Sequence, residues 1–221
     1  MTDTVTIPSY KKAVGTLIHE LGGMLPADKF AVFNNDAQHL AREFPSPLKL
    51  QRGDKAPAFT LPNASGKTVR LEDQLRQGPV VLTFYRGVWC PYCNLQLKQY
   101  QQILPQIREA GASLIAVSPM TPDNSLSMQD TNALQFEVLS DVGNQAARQY
   151  TSVFRYSDAS LQAMKDLGYD FFSFYDDDSA ELPVPATFVI DRDRTIRFAG
   201  TGGGDYRERV EAQAILEALE K

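Results

Sequence analysis

Cysteine is scarce in this chain: two residues in 221, Cys90 and Cys93, three positions apart. Two thiols cannot build the multi-bridge framework of a small secreted domain. Histidine is as scarce. His19 and His39 lie far upstream, so no Cys–His nucleophile is expected at the pair, and no second ligand pair completes a zinc site. No apolar run approaches the roughly 18 residues needed to span a bilayer. Dense basic clusters are missing too. Lys plus Arg number 22 against 27 Asp plus Glu, a net charge of −5, so neither nucleic acid nor an anionic membrane is expected as a partner. Met1 to Pro8 carry neither the basic start nor the apolar stretch of a secretory signal. A cytoplasmic protein is the expectation. Internal repeats and low-complexity linkers are also lacking.

What remains is ordinary globular material, 43% apolar and 22% charged, enough to bury the core of one domain with an extension. Residues 1–49 are expected to form that extension. Val14, Leu17, Ile18 and Leu21 fall at helical spacing, Gly22-Gly23 breaks the run, and a second helix is expected from near Pro26 to just before Pro45. A helical pair packed on the main domain is the plain reading; dimerisation or a lid is the functional one. Residues 50–221 form the expected main domain. It opens with an extended segment, Gly53 to Pro62, a turn at Asn63–Lys67 and a short strand at Thr68–Leu71, together a β-hairpin.

Beyond Gly78, strands at Val80–Tyr85, Ser113–Ser118 and Phe136–Leu139 alternate with helices at Pro91–Ala110, Asp123–Asn132 and Gly143–Tyr150. The continuous apolar strands imply burial on both faces, hence an α/β sheet with parallel strands at its centre. Residues 151–182 read as irregular, with a weak helix around Ser160–Leu167. Tyr169, Phe171, Phe172, Phe174 and Tyr175 there suit either an insert folded over the core or a partner surface. Ala186–Asp191 and Thr195–Ala199 predict a hairpin turning at Arg192-Asp193, and Glu208–Leu219 a closing amphipathic helix. Asp176-Asp177-Asp178 reads as a solvated acidic loop, and the glycine-rich Gly200–Asp205 as a flexible turn, since it lacks dinucleotide-binding spacing.

The chemistry concentrates in Cys90-Pro91-Tyr92-Cys93, at a strand-to-helix turn. Pro91 suits the first helical position because its missing N–H needs no partner there. Cys90 then falls near the N-cap and Cys93 in the first turn, where unpaired N–H groups and the helix dipole favour a thiolate. The two-residue spacer lets one oxidised sulfur be resolved by the other. Idle buried cysteines are the alternative. Trp89, beside Cys90, is read as a groove-shaping or a packing residue. Arg86 either lends charge to a thiolate or joins a surface ion pair. Pro185, opening the strand that contains Thr187, suits a first strand position and is a candidate for a cis bond.

From Leu50 onward these segments resemble the alkyl hydroperoxide reductase/thiol-specific antioxidant (AhpC/TSA) family, the peroxiredoxin-like branch of the thioredoxin fold. Gly53-Asp54-Lys55-Ala56-Pro57-Ala58-Phe59-Thr60-Leu61 resembles its opening signature. Phe84-Tyr85, Ser140-Asp141, Ala147-Arg148-Gln149-Tyr150 and Ala186–Asp191 resemble later segments. The resemblance implies a central mixed sheet flanked by helices, reduction of hydroperoxides by cysteine, recycling by a thioredoxin- or glutaredoxin-like donor, and no metal or organic cofactor. Two departures stand out. Aligned with Cys93 in the attacking position, the family's Thr position holds Cys90 and its Arg position holds Pro185. Trp89-Cys90 resembles thioredoxin, Cys90-Pro91-Tyr92-Cys93 is the glutaredoxin tetrapeptide, and Val184-Pro185-Ala186-Thr187 resembles the thioredoxin proline segment that faces the cysteines. Thioredoxin logic makes the more exposed Cys90 the nucleophile and Cys93 the resolver, which is the expectation; peroxiredoxin alignment makes Cys93 the nucleophile. Disulfide exchange on a protein, and a redox sensor that switches affinity for a partner, are the alternatives to peroxide reduction.

Overall fold

The structure is a computed structural model that describes residues 6–220; the leader reading of Met1 to Val5 lies outside them. In chain order come α1 (Tyr10–Met24), α2 (Ala27–Glu43), β1 (Thr60–Pro62), β2 (Thr68–Arg70), α3 (Leu71–Gln77), β3 (Val80–Phe84), α4 (Pro91–Gln102), α5 (Leu104–Glu109) and β4 (Ser113–Ser118). Next are α6 (Pro122–Thr131), β5 (Glu137–Ser140), α7 (Ala147–Tyr150), β6 (Val153–Arg155), α8 (Asp158–Asp166), β7 (Glu181–Pro183), β8 (Ala186–Ile190), β9 (Ile196–Thr201) and α9 (Ala212–Leu219). A five-stranded sheet in the order β5-β4-β3-β8-β9 forms the centre. β3 pairs parallel with β4 and antiparallel with β8, so the sheet is mixed.

All five residues of β3 are buried, and the pleat divides them between two cores. Val80, Leu82 and Phe84 point to the side filled by Phe59, Leu75 and Tyr150. Val81 and Tyr85 point to the other, shared with α1, α2, α4 and α9. Each such fully buried aliphatic or aromatic side chain contributes about 1.5–3 kcal/mol. Among the described residues, no helix is long and apolar enough to cross a membrane.

The structure departs from the sequence reading at several places. α1 runs through Gly22-Gly23 to Met24; a Cβ at Gly22 would make only ordinary van der Waals contact with the Phe30 ring, 3.4 Å away. The expected helix 91–110 is two helices, interrupted at Ile103 ahead of Pro105, which has no N–H to continue the ladder. Residues 151–182 are ordered: β6 and β7 pair antiparallel on either side of α8. Phe171 and Tyr175 are buried while Tyr169 and Phe172 remain exposed, so this segment is mainly an insert folded over the core. The last helix starts at Ala212 and not Glu208, leaving 208–211 free to place side chains elsewhere.

The glycine-rich turn is a docking point. Gly204 donates its N–H to the Phe44 carbonyl at 2.8 Å, and a Cβ there would lie 1.9 Å from the Leu40 carbonyl oxygen. Tyr206 donates to the Phe33 carbonyl at 2.6 Å, and Arg207 to Asn34 Oδ1 at 2.8 Å. α2 thus clasps the segment between β9 and α9. Gly204→Ala is expected to force the two apart and lower stability by about 1–3 kcal/mol, read by urea unfolding; a change below about 0.5 kcal/mol, the usual size for surface substitutions, would contradict this packing.

Candidate active site

α4 begins where the sequence places it. Cys90 is the N-cap, with extended backbone (φ −87°, ψ 109°), and Pro91 occupies the first turn. The turn before it is held by Cys90 N–H donating to the Gly87 carbonyl at 3.1 Å, and by Asn94 Nδ2 donating to the Val88 and Cys90 carbonyls at 2.6 and 2.9 Å. Trp89 Nε1 donates to the Tyr175 hydroxyl at 2.7 Å, which donates to the Arg86 carbonyl at 2.9 Å. Tyr175 therefore pins both ends of the Arg86–Trp89 loop from the insert.

Both sulfurs are fully buried, at 0% exposure each. This corrects the expectation that Cys90 is the more exposed member: α1, Tyr92 and Arg86 cover the helix start. Each sulfur meets a guanidinium. Arg86 Nη2 donates to Cys90 Sγ at 3.3 Å, and Arg209 Nη2 donates to Cys93 Sγ at 3.4 Å. Arg86 is buried rather than paired at the surface, its guanidinium carbon 3.6 Å from the Tyr206 ring centroid and 4.8 Å from that of Trp89. Stacking of this kind suits the planar, weakly hydrated guanidinium.

Arg209 was not legible in the sequence. It sits in the 208–211 stretch, which reads as the polar start of a helix. The structure keeps this stretch extended and turns Arg209 inward, where Nη1 donates to the Glu208 carbonyl at 2.7 Å and to that of Tyr206. The N-terminal extension fixes the stretch: Glu211 accepts from the Tyr10 and Lys11 N–H groups at 2.8 Å each, and the Tyr10 hydroxyl donates to the Arg207 carbonyl at 2.8 Å.

The two thiols titrate as a coupled pair, in opposite directions. Burial pushes Cys90 well above the ordinary thiol range, and its hydrogen bond to Cys93 adds to that. Burial opposes ionisation of Cys93 as well, but the Cys90 hydrogen bond and the Arg209 and Arg86 charges outweigh it and hold Cys93 well below that range. The surrounding tyrosines Tyr10, Tyr85, Tyr156 and Tyr206 are all pushed up by burial, so they stay neutral and do not compete for the negative charge. These directions favour a thiol–thiolate pair with the charge on Cys93.

Of the other sequence candidates, Arg86, Trp89, Pro91 and Tyr92 line one cavity of about 210 Å³ beside the active-site turn, whose lining includes neither sulfur. Its walls are apolar: Leu21, Leu25, Phe30 and Phe33 from the extension, Met164 and Leu167 from the insert. Trp89 both faces this cavity and packs on Tyr156 and Phe171, with centroids 5.5 Å apart in each case. Thr187 lies deeper, with its Oγ1 2.9 Å from Thr83 Oγ1 and 3.3 Å from the Tyr100 hydroxyl, in the sheet and not at the sulfurs. Pro185 is buried at the start of β8, with its carbonyl accepting from Thr201 Oγ1 at 2.8 Å. Its peptide bond is trans, since no described bond is cis. No group of three or more potential metal-ligating side chains occurs among the described residues.

A dithiol at the start of a helix that follows a central strand, in a mixed sheet with this strand order, defines a thioredoxin-fold protein with a Cys-x-x-Cys centre. The AhpC/TSA family model matches residues 52–199, and the chain belongs to that family. A putative peroxiredoxin of Mycobacterium tuberculosis (strain H37Rv) is 38% identical over 93 residues, 42% of this chain and 59% of the relative. Peroxiredoxin Bcp of Escherichia coli (strain K12) is 30% identical over 105 residues, 48% of this chain and 65% of that one. In both cases the match spans less than two thirds of the relative's length. The crystal structure of peroxidoxin BcpB from Mycobacterium tuberculosis aligns with 77% of this chain and 97% of its own, at a TM-score of 0.60 and 24% identity. That likeness is one of fold.

Proposed function

We propose that the protein is a thiol peroxidase for organic hydroperoxides in which Cys93 attacks and Cys90 resolves. The observation that carries this is a buried dithiol with one guanidinium on each sulfur, Arg86 on Cys90 and Arg209 on Cys93, their charges favouring ionisation of Cys93, beside an apolar cavity that Arg86 and Tyr92 line. In the first step Cys93 attacks the outer peroxide oxygen; the O–O bond breaks, the alkoxide takes a proton and leaves as the alcohol, and Cys93 becomes the sulfenic acid. Arg86 has two N–H positions, Nε and Nη1, without a partner. They suit the charge that develops on the leaving oxygen, where a prearranged donor is worth most. The Cys90 sulfur, losing its proton, then attacks Cys93. Water leaves, the Cys90–Cys93 disulfide forms, and an external thioredoxin- or glutaredoxin-like dithiol resets it.

This reading moves the nucleophile from Cys90 to Cys93. The reason for choosing Cys90 was exposure, and the two sulfurs are equally buried. The Thr and Arg expected of the family are replaced by Cys90 and Pro185, while Arg86 and Arg209 supply positive charge from other positions.

The cavity walls give a test of substrate class. Filling the space with Leu25→Trp is expected to lower kcat/KM for cumene hydroperoxide roughly tenfold or more while leaving that for hydrogen peroxide within about threefold, since an apolar pocket discriminates by roughly 1–3 kcal/mol per group lost. Equal losses on both peroxides would remove the cavity from the substrate path.

A further inference from the structure

Two buried cations beside one dithiol have a consequence for its redox poise. Arg86 is 2% exposed and Arg209 8% exposed. Neither is among the ion pairs formed by the described residues. Even in the reduced state Arg86 Nε, Arg86 Nη1 and Arg209 Nε have no hydrogen-bond partner. Arg86 donates to Cys90 and Arg209 to Cys93, so a thiolate on this pair is an anion that both guanidiniums can share. Asp36, on α2 and buried, is the carboxylate whose field reaches Arg86, and it is present whatever the sulfurs do.

Forming the disulfide removes that anion. The half-reaction runs from Cys90–SH and Cys93–S⁻ to the disulfide, releasing one proton and two electrons, and it leaves two desolvated guanidiniums facing neutral sulfur. Uncompensated buried charge is strongly unfavourable. We propose that Arg86 and Arg209 are poise-setting residues that hold the pair in its dithiol form and make the Cys90–Cys93 disulfide a strongly oxidising one. A stabilised reduced form is the recognised route to an oxidising Cys-x-x-Cys couple. In a reaction sequence, such a disulfide accepts electrons from weak donors: two monothiols reduce it, giving Cys90–SH, Cys93–S⁻, their own disulfide and one proton. Small-molecule thiols thus become competent reductants beside a dithiol protein.

This inference rests on the pair forming a disulfide, but not on peroxide being the oxidant, so its test uses none. Full-length protein is equilibrated at pH 7 in glutathione buffers of graded ratio, trapped by alkylation and weighed. Arg209→Gln is expected to shift the equilibrium toward disulfide by about 100-fold, which for a two-electron couple is about 60 mV more negative, while Arg209→Lys keeps most of the wild-type value. An unchanged or more positive potential in Arg209→Gln overturns the poise and leaves the peroxide reading intact; a chain that never forms the disulfide overturns both. A second measurement needs no variant. The same coupling requires oxidised wild-type protein to unfold at a lower temperature than reduced protein, the reverse of an ordinary disulfide's effect. An oxidised form that melts higher contradicts the proposal.

Discussion

Cys93→Ser is expected to abolish peroxide consumption, a loss of at least about 10⁴-fold, on the scale seen when an enzymatic nucleophile is removed. Cys90→Ser is expected to keep the first step and lose the second. It should consume one equivalent of peroxide, gain one oxygen in mass and react with a sulfenic-acid probe at Cys93. The asymmetry follows from the charge distribution. Cys93 accepts hydrogen bonds from Cys90 and Arg209 and feels both guanidiniums, which together outweigh burial. Cys90 is held protonated by the same burial and by donating to Cys93. A Cys90→Ser protein inert to peroxide, beside a Cys93→Ser protein that still forms a sulfenic acid, would return the attacking role to Cys90.

Arg209→Gln is expected to slow the reaction with peroxide at neutral pH by about 100-fold, within the roughly 10- to 1000-fold that an opposite charge at this range exerts on an ionisation equilibrium. The pH profile separates this from misfolding. In the wild type, the rate follows the thiolate, so it falls as pH drops through the lowered Cys93 pKa. In the variant the fall moves to higher pH, and the rate recovers in alkaline buffer. Stability carries the same sign. A thiol with a depressed folded-state pKa stabilises the fold above the unfolded value, near 8.5, and loses that contribution as pH falls through its folded value. Cys90, with its pKa raised, contributes in the opposite window: fully below about 8.5, and lost as pH rises through its folded value. Fluorescence-detected stopped flow across pH reads the rates. A variant with a wild-type profile would show that Arg209 does not support the thiolate.

The central sheet, the hairpin before it and the Cys-Pro-Tyr-Cys helix start were legible because local signals agreed: continuous apolar strands, turn residues between them, proline where a first turn tolerates it. The β6–β7 pair was not. Three residues, Val153–Arg155, pair with three more that lie beyond a helix, and the second strand ends in Pro183; no short window contains that information. Arg86 was a candidate because it is next to the motif in sequence, whereas Arg209 lies 116 residues from Cys93 and reaches it only because α2 and Glu211 fix the loop that bears it. A buried arginine carries no local mark in sequence: its identity is that of a surface residue, and only the packing around Tyr10 and Tyr206 turns it inward. The misjudged exposure of Cys90 has the same origin. In sequence Cys90 heads a helix, where side chains are usually solvated, and the covering comes from an extension more than 40 residues upstream.

A buried thiolate activated for peroxide should react far faster than a free one. The most direct test is stopped-flow oxidation of the fully reduced wild-type protein by cumene hydroperoxide and by hydrogen peroxide, followed through Trp89, whose ring lies over the Arg86 guanidinium that contacts Cys90. The expected result is a second-order rate orders of magnitude above that of a free thiolate, faster for the organic peroxide, and ending in loss of both thiols. A rate no better than that of a free thiol would contradict it.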